Sequence, residues 1–212
     1  VPSSPQKVLA ADFTGDSKAD VITSIDGYLS LSTNTNGTFN AAQTIAGTTA
    51  GVAGAISGNF SGDSNHDLIY ASSDGLGNSA IYYRQSNGNG TFAAEVTLAT
   101  GYTANISQIE KGDFDGDGKI DILTSIEDQG IVVFRNTSIG GNISFDKNII
   151  STNGSHSLAI GDLDGDGKPD LIVNNRSSNT ISVFRNISTS GSISFASKVD
   201  ISVSNPYAVV AG

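Results

Sequence analysis

Residues 113–121 read Asp-Phe-Asp-Gly-Asp-Gly-Lys-Ile-Asp. Carboxylates hold the first, third, fifth and ninth positions. On a tightly curled loop such alternate side chains can point inward together. Gly116 and Gly118 permit the positive φ values that curling needs. Hard cations such as Ca²⁺ take about 6–8 oxygen ligands at roughly 2.3–2.6 Å. A backbone carbonyl near position 7, here that of Lys119, would add to the carboxylates, with the ammonium group turned to solvent. Leaving the acids together without a cation is unfavourable, because each pair at ~4 Å repels by roughly 1 kcal/mol even in water.

The nonapeptide recurs. DFTGDSKAD starts at Asp12, NFSGDSNHD at Asn59 and DLDGDGKPD at Asp162, so the starts lie 47, 54 and 49 residues apart. A second landmark follows each loop. NGTF ends at Phe39 and Phe92, and the related NISF and SISF end at Phe145 and Phe195. Between the landmarks, IVVFRNTS from Ile131 matches ISVFRNIS from Ile181, and AIYYRQSN from Ala80 is a looser copy. A period of this size marks a repeat architecture.

Each repeat reads as strands. VLAAD, AISGNF, IEKGDF and LAIGDL are short apolar or small-residue runs before the loops. DVITSI, DLIYAS, DILTSI and DLIVNN follow them and are β-branched and aliphatic, as buried strands are. A turn rich in Asp, Gly, Ser and Asn leads to a third strand such as GIVVFRN. Another Gly/Asn turn leads to a fourth such as ISFDKNI. Ile181 and Val183 alternate with Ser182, and Ile193 and Phe195 with Ser194, at the strand period. No helical periodicity of useful length is present. Four short antiparallel strands every ~40–50 residues are the blade pattern of an all-β β-propeller. A β-sandwich is the runner-up, but it does not require so regular a loop. The expected blades are 1–49, 50–103, 104–154 and 155–203. NPYAVVAG at the tail matches HSLAIGD before the fourth loop, so 204–212 is expected to be the first strand of a further blade.

An EF-hand begins similarly but needs Glu at position 12 and flanking helices. Position 12 is Thr124 in the third loop and Val173 in the fourth, and Pro169 with strand-like residues follows. The loop, with its small apolar strand before and aliphatic strand after, resembles the FG-GAP/VCBS repeats of integrin-α-like β-propellers. The resemblance covers essentially the whole chain. It implies metal ligands at Asp113, Asp115, Asp117, the Lys119 carbonyl and Asp121, and at Asp162, Asp164, Asp166, the Lys168 carbonyl and Asp170. The first two loops depart from the pattern. The corresponding positions are Asp12, Thr14, Asp16, Lys18 and Asp20, then Asn59, Ser61, Asp63, Asn65 and Asp67, with Ser17 and Ser64 where the glycine stands. Their carboxylate counts fall to three and two, and ligand charge tunes Ca²⁺ affinity. Two strong sites are expected, with up to four in all. Phe13, Phe60, Phe114 and Leu163, at position 2, read as apolar plugs anchoring each loop.

The composition agrees with this pattern. The 212 residues carry 21 acids against 11 bases, a formal charge of −10. That argues against nucleic acid, since phosphate binding needs a basic face, and against an anionic membrane surface. No apolar run approaches 18 residues, so no membrane-spanning helix is expected, and no signal-peptide pattern is present. The chain contains no Cys, which excludes disulfides and thiolate zinc sites. It starts at Val1 and has no Met, which points to a processed product or a segment of a longer polypeptide.

Other candidates carry little chemistry. His66 and His156 lack partners and read as surface residues. No GxSxG nucleophile elbow occurs, and the acids outside the loops are scattered, so no glycosidase pair can be built. Catalysis by these residues is not expected. The N-x-S/T sequons, Asn36, Asn136 and Asn186 among them, follow from turn composition. Tyr28, Tyr82 and Tyr83 could stack on sugars but read better as packing between blades. The expected function is an extracellular Ca²⁺-stabilised module, secreted or on the cell surface, for adhesion or for binding a protein or glycan. A lectin and an accessory domain of a larger secreted enzyme are the alternatives. Four blades rarely close a ring, so further blades in the parent chain or edge-to-edge pairing between copies are expected.

Overall fold

The structure is a computed structural model and describes residues 7–25, 27–47, 51–73, 78–127, 130–150 and 155–209. Its described residues hold strands and turns, with one 3-10 turn at Arg176–Ser178 and no α-helix. The first sheet runs β1 (Lys7–Ala11), β2 (Asp20–Ile25), β3 (Tyr28–Ser32), β6 (Gln43–Gly47), with a two-strand ribbon, β4 (Asn34–Thr35) and β5 (Thr38–Phe39), in its last connection. The second contains β7 (Val52–Gly58), β8 (Asp67–Ser73), β9 (Ser79–Arg84) and β10 (Val96–Tyr102). The third contains β11 (Ile106–Gly112), β12 (Asp121–Ile126), β13 (Gly130–Asn136) and β14 (Phe145–Ile150). The fourth contains β15 (Ser155–Gly161), β16 (Asp170–Asn175), β17 (Thr180–Phe184) and β18 (Val199–Ser202).

Each sheet is an antiparallel meander in chain order, the topology of a propeller blade. No strand forms within 204–209, and 210–212 lie outside the described residues, so the expected strand of a further blade is not seen in the described part.

The second strand of each blade is central, and its sequence shows it. In β12 and β16 every residue is buried, as expected where both faces of a sheet are covered. In β2 the burial alternates, Ile22 and Ser24 inward and Val21 and Thr23 less so. The last strands β14 and β18 are largely exposed and carry Asp146, Lys147 and Asp200. Charged side chains of this kind blunt an edge against unwanted pairing.

The chain divides into two compact units, one of 1–106 with 138–143 and one of 107–137 with 144–212. In the first unit, Ile22, Leu29 and Leu31 of the first blade pack with Val52, Leu68 and Tyr70 of the second. In the second unit, Leu123, Ile131 and Val133 of the third blade pack with Leu158, Leu171, Val173 and Phe184 of the fourth. Both cores are face-to-face sheet contacts filled by the inward residues of alternating strands.

The position-2 residues follow from this stacking. Phe13, Phe60 and Phe114 are buried. Phe13 meets the landmark Phe92 of the next blade at 5.8 Å between ring centroids, and Phe114 meets Phe195 at 6.4 Å. Leu163 is 49% exposed and is no plug. Among the described residues it has no ring contact like those of Phe13 and Phe114.

Candidate metal loops

The ninth position of each loop is the best-defined part of the site. Asp20, Asp67, Asp121 and Asp170 are all buried. One oxygen of each accepts the amide N–H of the position-2 residue: Phe13 at 2.9 Å, Phe60 at 3.1 Å, Phe114 at 2.8 Å and Leu163 at 2.9 Å. The other oxygen accepts an amide at the exit of the third strand: Asn34, Ser86, Asn136 or Asn186, at 2.8 to 3.0 Å. One carboxylate thus clasps the start of the loop to a neighbouring strand, and the buried charge is matched by N–H donors. Asn34, Asn136 and Asn186 return the bond, their Nδ2 donating to the carbonyls of Ala19, Ile120 and Pro169 at 3.0 Å. Asn136 and Asn186 are buried in this role, which removes them as glycosylation acceptors.

The first position curls the loop. Asp113 accepts N–H bonds from Gly116 at 2.8 Å, Asp117 at 3.1 Å and Gly118 at 2.9 Å. Asp162 does the same for Gly165, Asp166 and Gly167. Asp12 holds Thr14, Gly15, Asp16 and Ser17. Partial burial raises the Asp12 carboxyl, but these amides outweigh it and hold it below its ordinary value. The fourth and sixth positions take positive φ in all four loops, at Gly15, Gly62, Gly116 and Gly165 and at Ser17, Ser64, Gly118 and Gly167.

With the loop curled, the acids converge. Ligand oxygens of Asp113, Asp115 and Asp117 lie within 4.8 Å of one another, as do those of Asp162, Asp164 and Asp166. These two triads could hold a metal ion. Their donors are all carboxylate oxygens, the set that suits hard cations over zinc or copper, and each carboxylate keeps lone pairs beyond its N–H bonds. Asp121 and Asp170, also expected as ligands, hold the clasp bonds beside these triads. Burial pushes Asp121 up to about 6, and the nearby charges of Asp115 and Asp117 add to this. Asp67 is raised for the same first cause. Among the described residues no triad of acids forms in the first two loops. There Asp16 is held down chiefly by its bond to the Lys18 ammonium at 2.8 Å. Asn59 accepts the Gly62 N–H, and Ser61 is buried.

The position-7 residues donate their amides to the fifth-position acids: Lys18 to Asp16, Asn65 to Asp63, Lys119 to Asp117 and Lys168 to Asp166, at 2.9 to 3.0 Å. The Lys168 ammonium is not free in solvent but donates to the Ser188 carbonyl at 2.8 Å. His66 is half-buried with no partner at Nδ1 among the described residues, and the His156 side chain lies outside them. Tyr83 is buried and Tyr82 stacks near Tyr70 at 5.3 Å, so both pack, whereas Tyr28 is exposed.

Sequence reasoning missed Arg135, Arg185 and the Asn beside each. Arg135 bonds Asp115 and Asp117, and Arg185 pairs with Asp164 and Asp166. The signal was present: the Phe-Arg-Asn of 134–136 recurs at 184–186.

This loop-and-blade arrangement matches the FG-GAP-like repeat family over residues 59–124, 113–173 and 162–212. The chain belongs to this family. No curated protein matches it. Among solved structures it is similar to an Agrocybe aegerita lectin whose structure concerns specific recognition of non-reducing terminal N-acetylglucosamine, with a TM-score of 0.64 and 20% identity. The match covers 90% of this FG-GAP-like chain and 50% of that one, so the chain spans half the length of that lectin. At this identity the likeness is one of fold, and it agrees with reading the four sheets as propeller blades.

Proposed function

We propose that this FG-GAP-like chain is an extracellular binding module whose propeller blades are stabilised by calcium. The observation that carries this is the convergence of Asp113, Asp115 and Asp117, and of Asp162, Asp164 and Asp166, on curled loops. Calcium bound there would supply positive charge to the triads and cross-link each loop between its blade's first two strands. Extracellular calcium modules work at about 10⁻⁴–10⁻³ M, and a chain without Cys gains its reinforcement from such ions. The module binds a protein or glycan, in adhesion or as the accessory part of a larger secreted protein, and carries out no chemistry itself. A lectin role is the second reading, favoured by the sugar-recognising neighbour of the same fold. Further blades in a parent chain, or pairing between copies, would complete the surface.

Thermal melts in EDTA and in millimolar Ca²⁺ test the metal. The melting temperature should rise by many degrees with calcium, and Asp117→Asn or Asp166→Asn should reduce that rise more than Asp63→Asn. Equal melts in both buffers would defeat the calcium reading. A glycan panel probed with the intact protein separates the two binding readings: hits favour a lectin, and a blank panel favours a protein ligand.

A further inference from the structure

One position at the end of the third strand answers the acids of the loop beside it in three of the four blades. It is the residue just before the clasp amide: Thr33, Gln85, Arg135 and Arg185. Arg135 Nε donates to Asp115 Oδ2 at 2.6 Å, and its Nη2 donates to Asp117 Oδ2 at 3.1 Å. Arg185 Nε donates to Asp164 Oδ2 at 2.6 Å, with Nη2 3.8 Å from Asp166 Oδ2. Gln85 Nε2 donates to Asp63 Oδ2 at 3.0 Å. Arg therefore faces the two loops with acid triads. Neutral Gln faces the loop poorest in acids. Thr33 instead accepts a bond from Asn40 Nδ2 at 2.8 Å, and in the first loop Lys18 itself pairs with Asp16.

The division of oxygens is consistent. In Asp115 and Asp117, Oδ1 accepts the amides of Asp117 and Lys119, while Oδ2 faces Arg135. In Asp164 and Asp166, Oδ1 accepts the amides of Asp166 and Lys168, while Oδ2 faces Arg185. The guanidinium holds the oxygens that the loop's backbone leaves over. In the third loop Gly191 N–H shares Asp115 Oδ2 at 3.0 Å. A metal ion in the triad would draw on the same oxygens.

We propose that Arg135 and Arg185 are resident counter-ions, holding the acids together without metal and yielding them when a divalent cation binds. This rests on the calcium reading of the loops. A planar guanidinium can serve two carboxylates at once, which an ammonium does less well. Metal uptake is then an exchange of one cation for another, so calcium binds against the arginine. For Arg135 a receiving partner is at hand: Asp146, 75% exposed, lies 3.9 Å from Nη1.

The test compares the wild-type chain with Arg135→Ala/Arg185→Ala, by calorimetric Ca²⁺ titration and by melting in EDTA and in saturating Ca²⁺. The double variant should bind Ca²⁺ about tenfold more tightly, the scale of removing a unit positive charge a few ångström from a divalent ion in a mostly aqueous medium. It should melt lower than wild type in EDTA and close to it in calcium. Wild-type binding with equal or weaker affinity in the variant would overturn the exchange while leaving the calcium sites standing. A wild-type chain that takes up no calcium would overturn the calcium reading and the exchange with it. Arg185 is 60% exposed, so Arg185→Ala alone serves if the double variant does not fold, with the tighter binding then expected of the fourth loop only.

Discussion

At the scale of single residues, the loops show where the backbone is strained and where charge is buried. Ser64 sits at φ 77° and Ser17 at φ 65°, where the better-matched loops have glycine. An L side chain in the left-handed region costs roughly 1–2 kcal/mol, part of which glycine's freedom in the unfolded chain returns. Ser64→Gly should therefore stabilise the protein by about 0.5–1 kcal/mol in urea denaturation; a loss of stability would show that the Ser64 side chain matters more than its backbone. Asp121 offers a pH test. Its carboxyl is raised from 3.8 to about 6 by burial, so between these values the folded state holds more protons than the unfolded one. Its contribution is present below about 4 and is lost as pH rises through about 6. In EDTA, wild-type stability should gain on Asp121→Asn as the pH is lowered from 7 to 5. Parallel pH profiles would remove Asp121 as the source.

Blade-to-blade packing sets the scale of the structural elements. In the first three loops a buried aromatic residue at the second position anchors the turn alongside the ninth-position clasp. Phe114 is buried against Phe195 of the next blade, so Phe114→Ala should cost roughly 3–5 kcal/mol. Leu163, at the same position of the fourth loop and half exposed, should cost within about 0.5 kcal/mol when cut to Ala. Equal losses in denaturant melts would mean that Leu163 is covered in solution. Here the limits of the sequence are plain. The repeat of Asp-Phe-Asp-Gly-Asp-Gly told of the loop and the strands around it, because spacing and residue type are local. It did not tell that Leu163 lies open, because burial of position 2 depends on the blade that comes next. Nor did it tell which of the four acids of the third loop would clasp the start of the loop to the neighbouring strand. All four carry the same side chain, and only the pairing of strands brings the amides of Phe114 and Asn136 to that one carboxylate.

For the molecule as a whole, the charge of −10 changes meaning. Thirteen of the 21 acids lie in the four loops, so the acidity is concentrated on one kind of turn. Two bound calcium ions would bring the formal charge to −6, and four to −2, as counted from the same total. The charge thus describes the protein's candidate metal loops more than its partner. The arginines escaped sequence reading for a related reason. A single Arg in a Phe-Arg-Asn run looks like a strand-end residue until the fold lays it across a loop some 20 residues earlier in the chain.

The clasp at the ninth position uses one carboxylate and the backbone, and it is intact in all four blades, the acid-poor second one included. The shape of the turn therefore does not depend on the acids at the first, third and fifth positions of the nonapeptide all being present. The second loop keeps its clasp with Asn59 and Ser61 standing where the third has Asp113 and Asp115. A copied repeat arrives able to fold before it can bind an ion. The acids at the first, third and fifth positions could therefore be exchanged one blade at a time while the ninth-position clasp keeps the turn in shape.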